Sequence, residues 1–345
     1  MRIPKLSSKL KDRLKVVAVI ILLAVISLIA FWRIQEMSPT NAASDRFLKK
    51  SKPFTTGVYY RLPNLKNPNA ILTKYNGKLA KEIIMNPGGF DMRADRVIYP
   101  NGNELVLVNS DGIKKSIPIS GLYSISRPSL SPDGKKVAVQ ASQTADNPPK
   151  DLNIYVIDLG TSKFTRISPS SDPDESPEWF DRVNKVAYSS FSDKDGVNIH
   201  IYDVDKKKEI KVLKDAGSLH IALSPDGKRV ASFERHKIFD VESGKQEADL
   251  TDNLVTRLGQ AGYSPDTRFA GSMKSGVFML DGAFSPDGKF LIMNGAVKKG
   301  DQYGEIIYQI NNVGEDFKVL VDLVPTNPQF SAGNNFSQEN PMWLY

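Results

Sequence analysis

Two patterns of apolar and polar residues divide this chain. Residues 16–32 are an unbroken apolar run except for Ser27, and Lys15 and Arg33 bracket it. Seventeen residues at a rise of ~1.5 Å make about 25 Å, a short membrane span. From Gly57 onward the apolar residues come in short runs separated by Gly, Pro, Asn and Asp, which is the pattern of strands and turns. Gly57–Leu62, Ala70–Thr73 and Ile83-Ile84 predict three strands, with Asn76-Gly77 as a hairpin turn before the last. Leu105–Val108 and Ile113–Ile119 predict a pair around the tight turn Ser110-Asp111-Gly112.

One stretch is written repeatedly. Ser131-Pro132-Asp133-Gly134-Lys135-Lys136-Val137-Ala138-Val139 returns from Ser224 to Ala231 and from Ser285 to Ile292, with a worn copy from Ser264 to Ala270. Each copy predicts a turn followed by a buried strand. Proline sets φ at the second turn position, Ser and Asp hydrogen-bond locally, and Gly closes the turn. Around the Ser131 copy lie Arg127-Pro128, then Ile154–Gly160, then Phe164–Ile167, making four short strands in about 40 residues. The next unit has Ser176-Pro177-Glu178-Trp179, Lys185–Ser190, Ile199–Val204 and Ile210–Leu213, and a fifth runs from His220 to Leu250.

Aligned at the turn start, Asp91, Ser131, Phe180, Ser224 and Ser264 follow one another at steps of 40, 49, 44 and 40 residues. Ser285 comes only 21 residues later, so residues 260–281 read as a degenerate blade or an insertion. The chain stops at Asn340-Pro341-Met342-Trp343-Leu344-Tyr345, which matches the opening strand Ser176-Pro177-Glu178-Trp179. Residues 57–86 look like a repeat without that opening strand. The two ends are expected to complete one blade, closing a ring and leaving no sheet edge bare.

The Pro-x-Trp opening, the Ser-Pro-Asp-Gly-Lys turn and the Ile-Tyr-Val-x-Asp-Leu strand together resemble the WD40-like, TolB-type (PD40) β-propeller repeat of bacterial envelope proteins. The resemblance covers about residues 57–345. It implies either an interaction scaffold or the propeller part of an oligopeptidase-like enzyme. The expected fold is all-β: a propeller of six or seven four-stranded blades, seven favoured with one degenerate, behind a single transmembrane helix. Residues 1–15 are expected as a basic cytoplasmic tail, 16–33 as the helix, 34–56 as a linker and 57–345 as the propeller closed by its C-terminal strand.

Charge supports that orientation. The formal net charge is +7, and residues 1–15 supply +5 of it through six basic side chains against Asp12 alone. A basic flank before the apolar run places the N-terminus in the cytoplasm and the propeller outside, periplasmic or at the cell surface. A cleaved signal peptide is the competing reading, with Ala42-Ala43 as its nearest small-residue pair. The near-neutral remainder has no basic stripe interleaved with aromatics, so nucleic acid is not an expected partner.

Candidate chemistry is sparse. There is no cysteine and there are three scattered histidines, so neither a thiolate site nor a histidine metal centre is expected. No Gly-x-Ser-x-Gly occurs, and Ser131, Ser224 and Ser285 read as turn formers rather than nucleophiles. The acidic loops Asp172–Glu175 and Asp193–Gly196 are candidates for Ca²⁺ or, as ordinary turns, for water. No catalytic residue, cofactor or metal is therefore expected. In propellers of this type, loops entering each first strand and leaving each second strand carry binding. That analogy nominates Arg127, Asp174, Glu175, Asp193, Asp195, His220 and Arg235 as a binding rim. The expected function is a membrane-anchored, non-enzymatic scaffold for an envelope protein or glycan. The alternative is an enzyme processing envelope glycans or peptides on a propeller platform.

Overall fold

The computed structural model describes residues 57–63, 70–75, 83–85, 89–93, 96–109, 113–146, 149, 151–168, 173–192, 196–265, 278–325 and 342–344. By contacts the chain forms two units, Met1–Lys50 and Ser51–Tyr345. The expected tail, membrane helix and linker, and the turns at Asn76-Gly77 and Ser110–Gly112, lie outside the described residues. Among the described residues no helix is long and apolar enough to cross a membrane.

The described strands build one antiparallel sheet after another. β1 (Gly57–Pro63), β2 (Ala70–Tyr75) and β3 (Ile83–Met85) pair in sequence. β4 (Asp91–Arg93), β5 (Arg96–Asn101), β6 (Glu104–Asn109) and β7 (Lys114–Pro118) form the second sheet. The third holds β8 (Tyr123–Leu130), β9 (Lys136–Ser142), β10 (Asn153–Asp158) and β11 (Phe164–Arg166). The fourth holds β12 (Asp174–Trp179), β13 (Lys185–Ser192), β14 (Gly196–Asp203) and β15 (Lys208–Leu213). β16 (Ile221–Leu223), β17 (Arg229–Ser232), β18 (Lys237–Asp240) and β19 (Gln246–Asp249) make the fifth. After α1 (Thr251–Gln260), the sixth takes β20 (Ser264–Pro265), β21 (Phe278–Phe284), β22 (Phe290–Lys299), β23 (Gln302–Asn311) and β24 (Phe317–Pro325).

The last strand, β25 (Met342–Leu344), returns to the first sheet and pairs antiparallel with β1, setting Val58 opposite Trp343. It also contacts β4 on one side and β21 on the other. Continuing around, β4 meets β8, β8 meets β12, β12 meets β16 and β16 meets β21. The innermost strands of all six sheets thus touch in a closed cycle.

Two sequence expectations need correction. The four-stranded form occurs five times, not the six or seven expected, and the remaining sheet has five strands. Among the described residues the Ser264 copy supplies the two-residue β20, which pairs with β22 beside β21 rather than starting a sheet of its own. Twenty-one residues cannot supply four strands, and ten of the preceding ones are helical. In α1, Leu254 and Leu258 stand one turn apart and are buried against Tyr263, Phe284 and Tyr308. The second correction concerns Asp91. Aligned with the turn residue Ser131, it lies instead within β4, whose hairpin to β5 closes directly from Arg93 to Arg96.

The cores lie between neighbouring sheets. Ala138, Ile154 and Val156 of the third sheet pack on Trp179, Val186 and Tyr188 of the fourth. Covered on both faces, second strands such as Val137-Ala138-Val139 are buried without alternation.

The repeated turns share one set of bonds. The Ser131 hydroxyl donates to Asp133 Oδ1 (2.7 Å) and accepts from the Lys136 amide (2.9 Å), and Gly134 N donates to the Ser131 carbonyl (2.8 Å). Ser224–Asp226 and Ser285–Asp287 repeat the pattern at 2.6 and 2.7 Å. Gly134, Gly227 and Gly288 have φ of 63°, 70° and 68°, which L side chains adopt at a cost. A Cβ on Gly134 would also lie 2.8 Å from the Arg96 guanidinium, and one on Gly227 2.9 Å from Phe180. Gly134→Val or Gly227→Val should therefore cost roughly 1–3 kcal/mol each. Urea titration measures this, and unshifted midpoints would refute the turn assignment.

Candidate functional site

Of the candidate rim residues, Arg127 lies within β8, Asp174 and Glu175 open β12, His220 precedes β16 and Arg235 lies in the β17–β18 loop. β8 carries Arg127 at φ 48°, and β12 carries Ser176 at φ 51°. Both precede a proline, and both fall where an inner strand slips register against its neighbour. This left-handed backbone is expensive outside glycine, and neighbouring contacts hold it. Ser176 Oγ accepts from Ile221 N of the next sheet at 3.1 Å. Arg127 Nη2 lies 3.9 Å from Glu175 Oε2, joining the third and fourth sheets with both side chains partly exposed.

Asp174 does not share that exposure. It is fully buried, its carbonyl accepts from Gln140 Nε2 (2.9 Å), and its amide donates to Leu152 O (3.1 Å). Burial puts it beyond the reach of a partner. Behind it the Tyr188 hydroxyl and Ser189 Oγ are buried without hydrogen-bond partners. Desolvation first, and then the charge of Asp174, pushes the Tyr188 hydroxyl far above its ordinary pKa, so it stays protonated. Asp193 and Asp195 lie outside the described residues.

A second polar group assembles between the fourth and fifth sheets. Glu234, in the β17–β18 loop, takes His220 Nδ1 on Oε1 (2.5 Å) and the His220 amide on Oε2 (3.2 Å). Ser218 Oγ donates to the His220 carbonyl at 2.6 Å. Arg235 Nε donates to the Gly217 carbonyl (2.8 Å), and its Nη2 to Asp215 Oδ1 (2.7 Å). Asp215 is itself held by Asn198 Oδ1, which accepts its amide at 2.9 Å. Sequence reading named His220 and Arg235 but missed Glu234, Asp215 and Asn198. Their shared signal was loop position alone, because the residues that meet here are up to 37 positions apart.

The opposite end is closed by a different constellation. Asp91 is buried and accepts from Leu130 N (2.5 Å) and Met92 N (2.7 Å). Arg93 donates from Nη2 to the Leu130 carbonyl (2.7 Å) and from Nη1 to Asp181 Oδ1 (2.6 Å). One guanidinium thereby ties the second, third and fourth sheets. Burial raises the Asp91 pKa despite the attraction of Arg93. Burial opposes the Arg93 charge too, but Asp91 and Asp181 outweigh it and the guanidinium stays ionised.

Among the described residues, no three His, Asp or Glu side chains converge as a metal-holding group. The site as seen is a set of charged pairs bridging loops, suited to recognition by hydrogen bonding and charge.

No family model matches this sequence, and no curated protein matches it. Solved structures do. TolB from Acinetobacter baumannii superposes with a TM-score of 0.53 at 19% identity, over 77% of this chain and 63% of its own length. The present chain therefore spans less than two thirds of that relative. The TolB structure from Agrobacterium tumefaciens gives 0.50 at 13% identity, over 79% of this chain and 91% of its own. This is a β-propeller fold. At such identities the likeness carries the fold and no more.

Proposed function

We propose that this chain is a membrane-anchored, extracytoplasmic propeller that binds a protein of the cell envelope and performs no chemistry of its own. The observation that carries this reading is the pairing of Arg127–Glu175, His220–Glu234 and Arg235–Asp215 among the loops of one ring end. Each pair joins two separate segments of the ring, so the recognition groups are set in place before a partner arrives. Anchoring is supported by the apolar run at residues 16–32 and its basic N-terminal flank. The five-stranded sheet serves as the sixth blade of the ring, since β21 occupies the inner position between β16 and β25.

Photo-crosslinking in intact cells tests the reading. A photoreactive residue at Arg127, Glu175 or Asp215 should yield a discrete protein adduct, whereas one at Lys135 in the opposite turns should not. Adducts equally strong from both ends, or absent from the Arg127 end, would overturn it.

A further inference from the structure

Exposed apolar side chains are not spread evenly over the ring. Among the described residues five large ones, Ile113, Val183, Ile210, Leu219 and Val313, are between 37% and 57% exposed. Four of them stand at the end that carries the Ser-Pro-Asp-Gly turns. Ile113 lies between β6 and β7, Val183 between β12 and β13, Val313 between β23 and β24, and Ile210 near the start of β15. Leu219 alone, just before β16, is at the Arg127 end. Scattered singly such residues need no explanation, but a bias to one face marks a surface that something apolar meets.

Charge singles out the fourth blade on that face. The carboxylates of its turn-end loops are all taken: Asp181 by Arg93, Asp203 by Lys206, Asp205 by Asn184 and Glu209 by His200. Its cations are not. Arg182, Lys207 and Lys208 are exposed and have no partner among the described residues. Arg182 lines one cleft with Lys185, Lys211, Val183 and Ile210, so basic and aliphatic groups share the same patch. The fifth blade's loops at this end are balanced, with Asp226, Asp240 and Glu242 against three basic side chains. Beside Val313 stand Glu315 and Asp316, which leaves the fourth blade as the basic one.

The chain also enters the ring at this end. β1 is the second strand of its blade, with β25 inside it, and second strands such as β5, β9 and β17 begin at the turns. Gly57, the first residue of β1, is therefore where the sequence arriving from the apolar run at residues 16–32 joins the propeller.

We propose that the turn end is the membrane-facing side of the propeller, and that the fourth blade rests there on anionic lipid headgroups with Val183 and Ile210 among them. Basic side chains are drawn to an anionic bilayer, and aliphatic ones beside them gain by leaving water. The proposal rests on the anchoring proposed above. It turns the Arg127 end away from the lipid toward a protein partner, and lipid at the turn end yields no protein adduct at Lys135.

The chain has no cysteine, so single labels report single positions. The test uses the full chain reconstituted in phosphatidylcholine vesicles with about a quarter phosphatidylglycerol. A bimane label is carried on Val183→Cys, Val313→Cys or Leu219→Cys, and nitroxide-bearing lipid headgroups quench whatever lies close to them. The label at position 183 should be quenched about threefold or more over that at 219, with 313 between them. Arg182→Glu combined with Lys207→Glu should cut the difference about twofold or more without lowering the melting temperature, and so should vesicles of phosphatidylcholine alone. Equal quenching at positions 183 and 219, or a difference indifferent to both the glutamates and the lipid charge, would each overturn the proposal. A photoreactive residue at Val183 that captures a protein, another copy included, would assign the face to that partner and overturn it too. A chain that washes off the vesicles in about 1 M salt would overturn the anchoring and the seating together. A chain that stays while neither label is quenched would sink the seating alone.

Discussion

A chain truncated after Asn340 is expected to melt far below the full-length protein and to aggregate. Removing Met342–Leu344 strips β1 of its inner neighbour and leaves the backbone groups on that edge of Gly57–Tyr59 without partners. β4 and β21 lose the strand that lies between them in the cycle. Chain ends usually tolerate deletion, because few contacts hold them. This one closes a ring. Each unpaired buried backbone group costs roughly 1–3 kcal/mol, so the loss should reach several kcal/mol of a typical total of about 5–15. Thermal melting with sedimentation velocity checks this. An unchanged midpoint and a clean monomer would show that the ring does not depend on its C-terminus.

Arg93→Met should have an effect of similar size and a distinct pH signature. The substitution leaves Asp91 as an uncompensated buried charge and releases Asp181 and the Leu130 carbonyl. Breaking one side of a buried pair costs about 3–5 kcal/mol, and the partial exposure of Arg93 favours the lower figure. Because burial already raises the Asp91 pKa, the folded state binds that proton more tightly than the unfolded state does. Stability lost to its charge at neutral pH returns as pH falls through the folded pKa. Without Arg93 that pKa climbs further, so the deficit against the natural protein should shrink between pH 7 and pH 5. A deficit constant over that interval would mean that Asp91 is not the group left stranded.

The elements legible in advance were those specified by local chemistry. Ser-Pro-Asp-Gly marks a turn wherever it stands, because its hydroxyl, ring, carboxylate and glycine act within six residues. The runs after it can only be strands buried on both faces. Even the return of the C-terminus was visible, since Pro-x-Trp recurs there without the strands that should follow it. The helix α1, between the fifth unit and residues 260–281, was missed because two buried leucines one turn apart are too few to mark a helical face. The false turn at Asp91 came from alignment carried through a hairpin that is shorter there.

What the sequence by itself determined is the unit: a turn, a small apolar strand, and the order in which the sheets are laid down. The tertiary structure decided how units meet. Asp174 and Glu175 are neighbours in sequence, yet strand alternation buries one and leaves the other partly exposed to face Arg127. His220 finds Glu234 and Arg235 finds Asp215 only because two loops converge. Whether the place beside a glycine turn is filled by a guanidinium, as by Arg229 at Gly288, or by a ring, as by Phe180 at Gly227, depends on which side chain the neighbouring sheet brings there. Turns and strands arise from forces between near neighbours in the chain, which composition records. Seams and rims arise between blades, where distance in sequence carries no trace of contact.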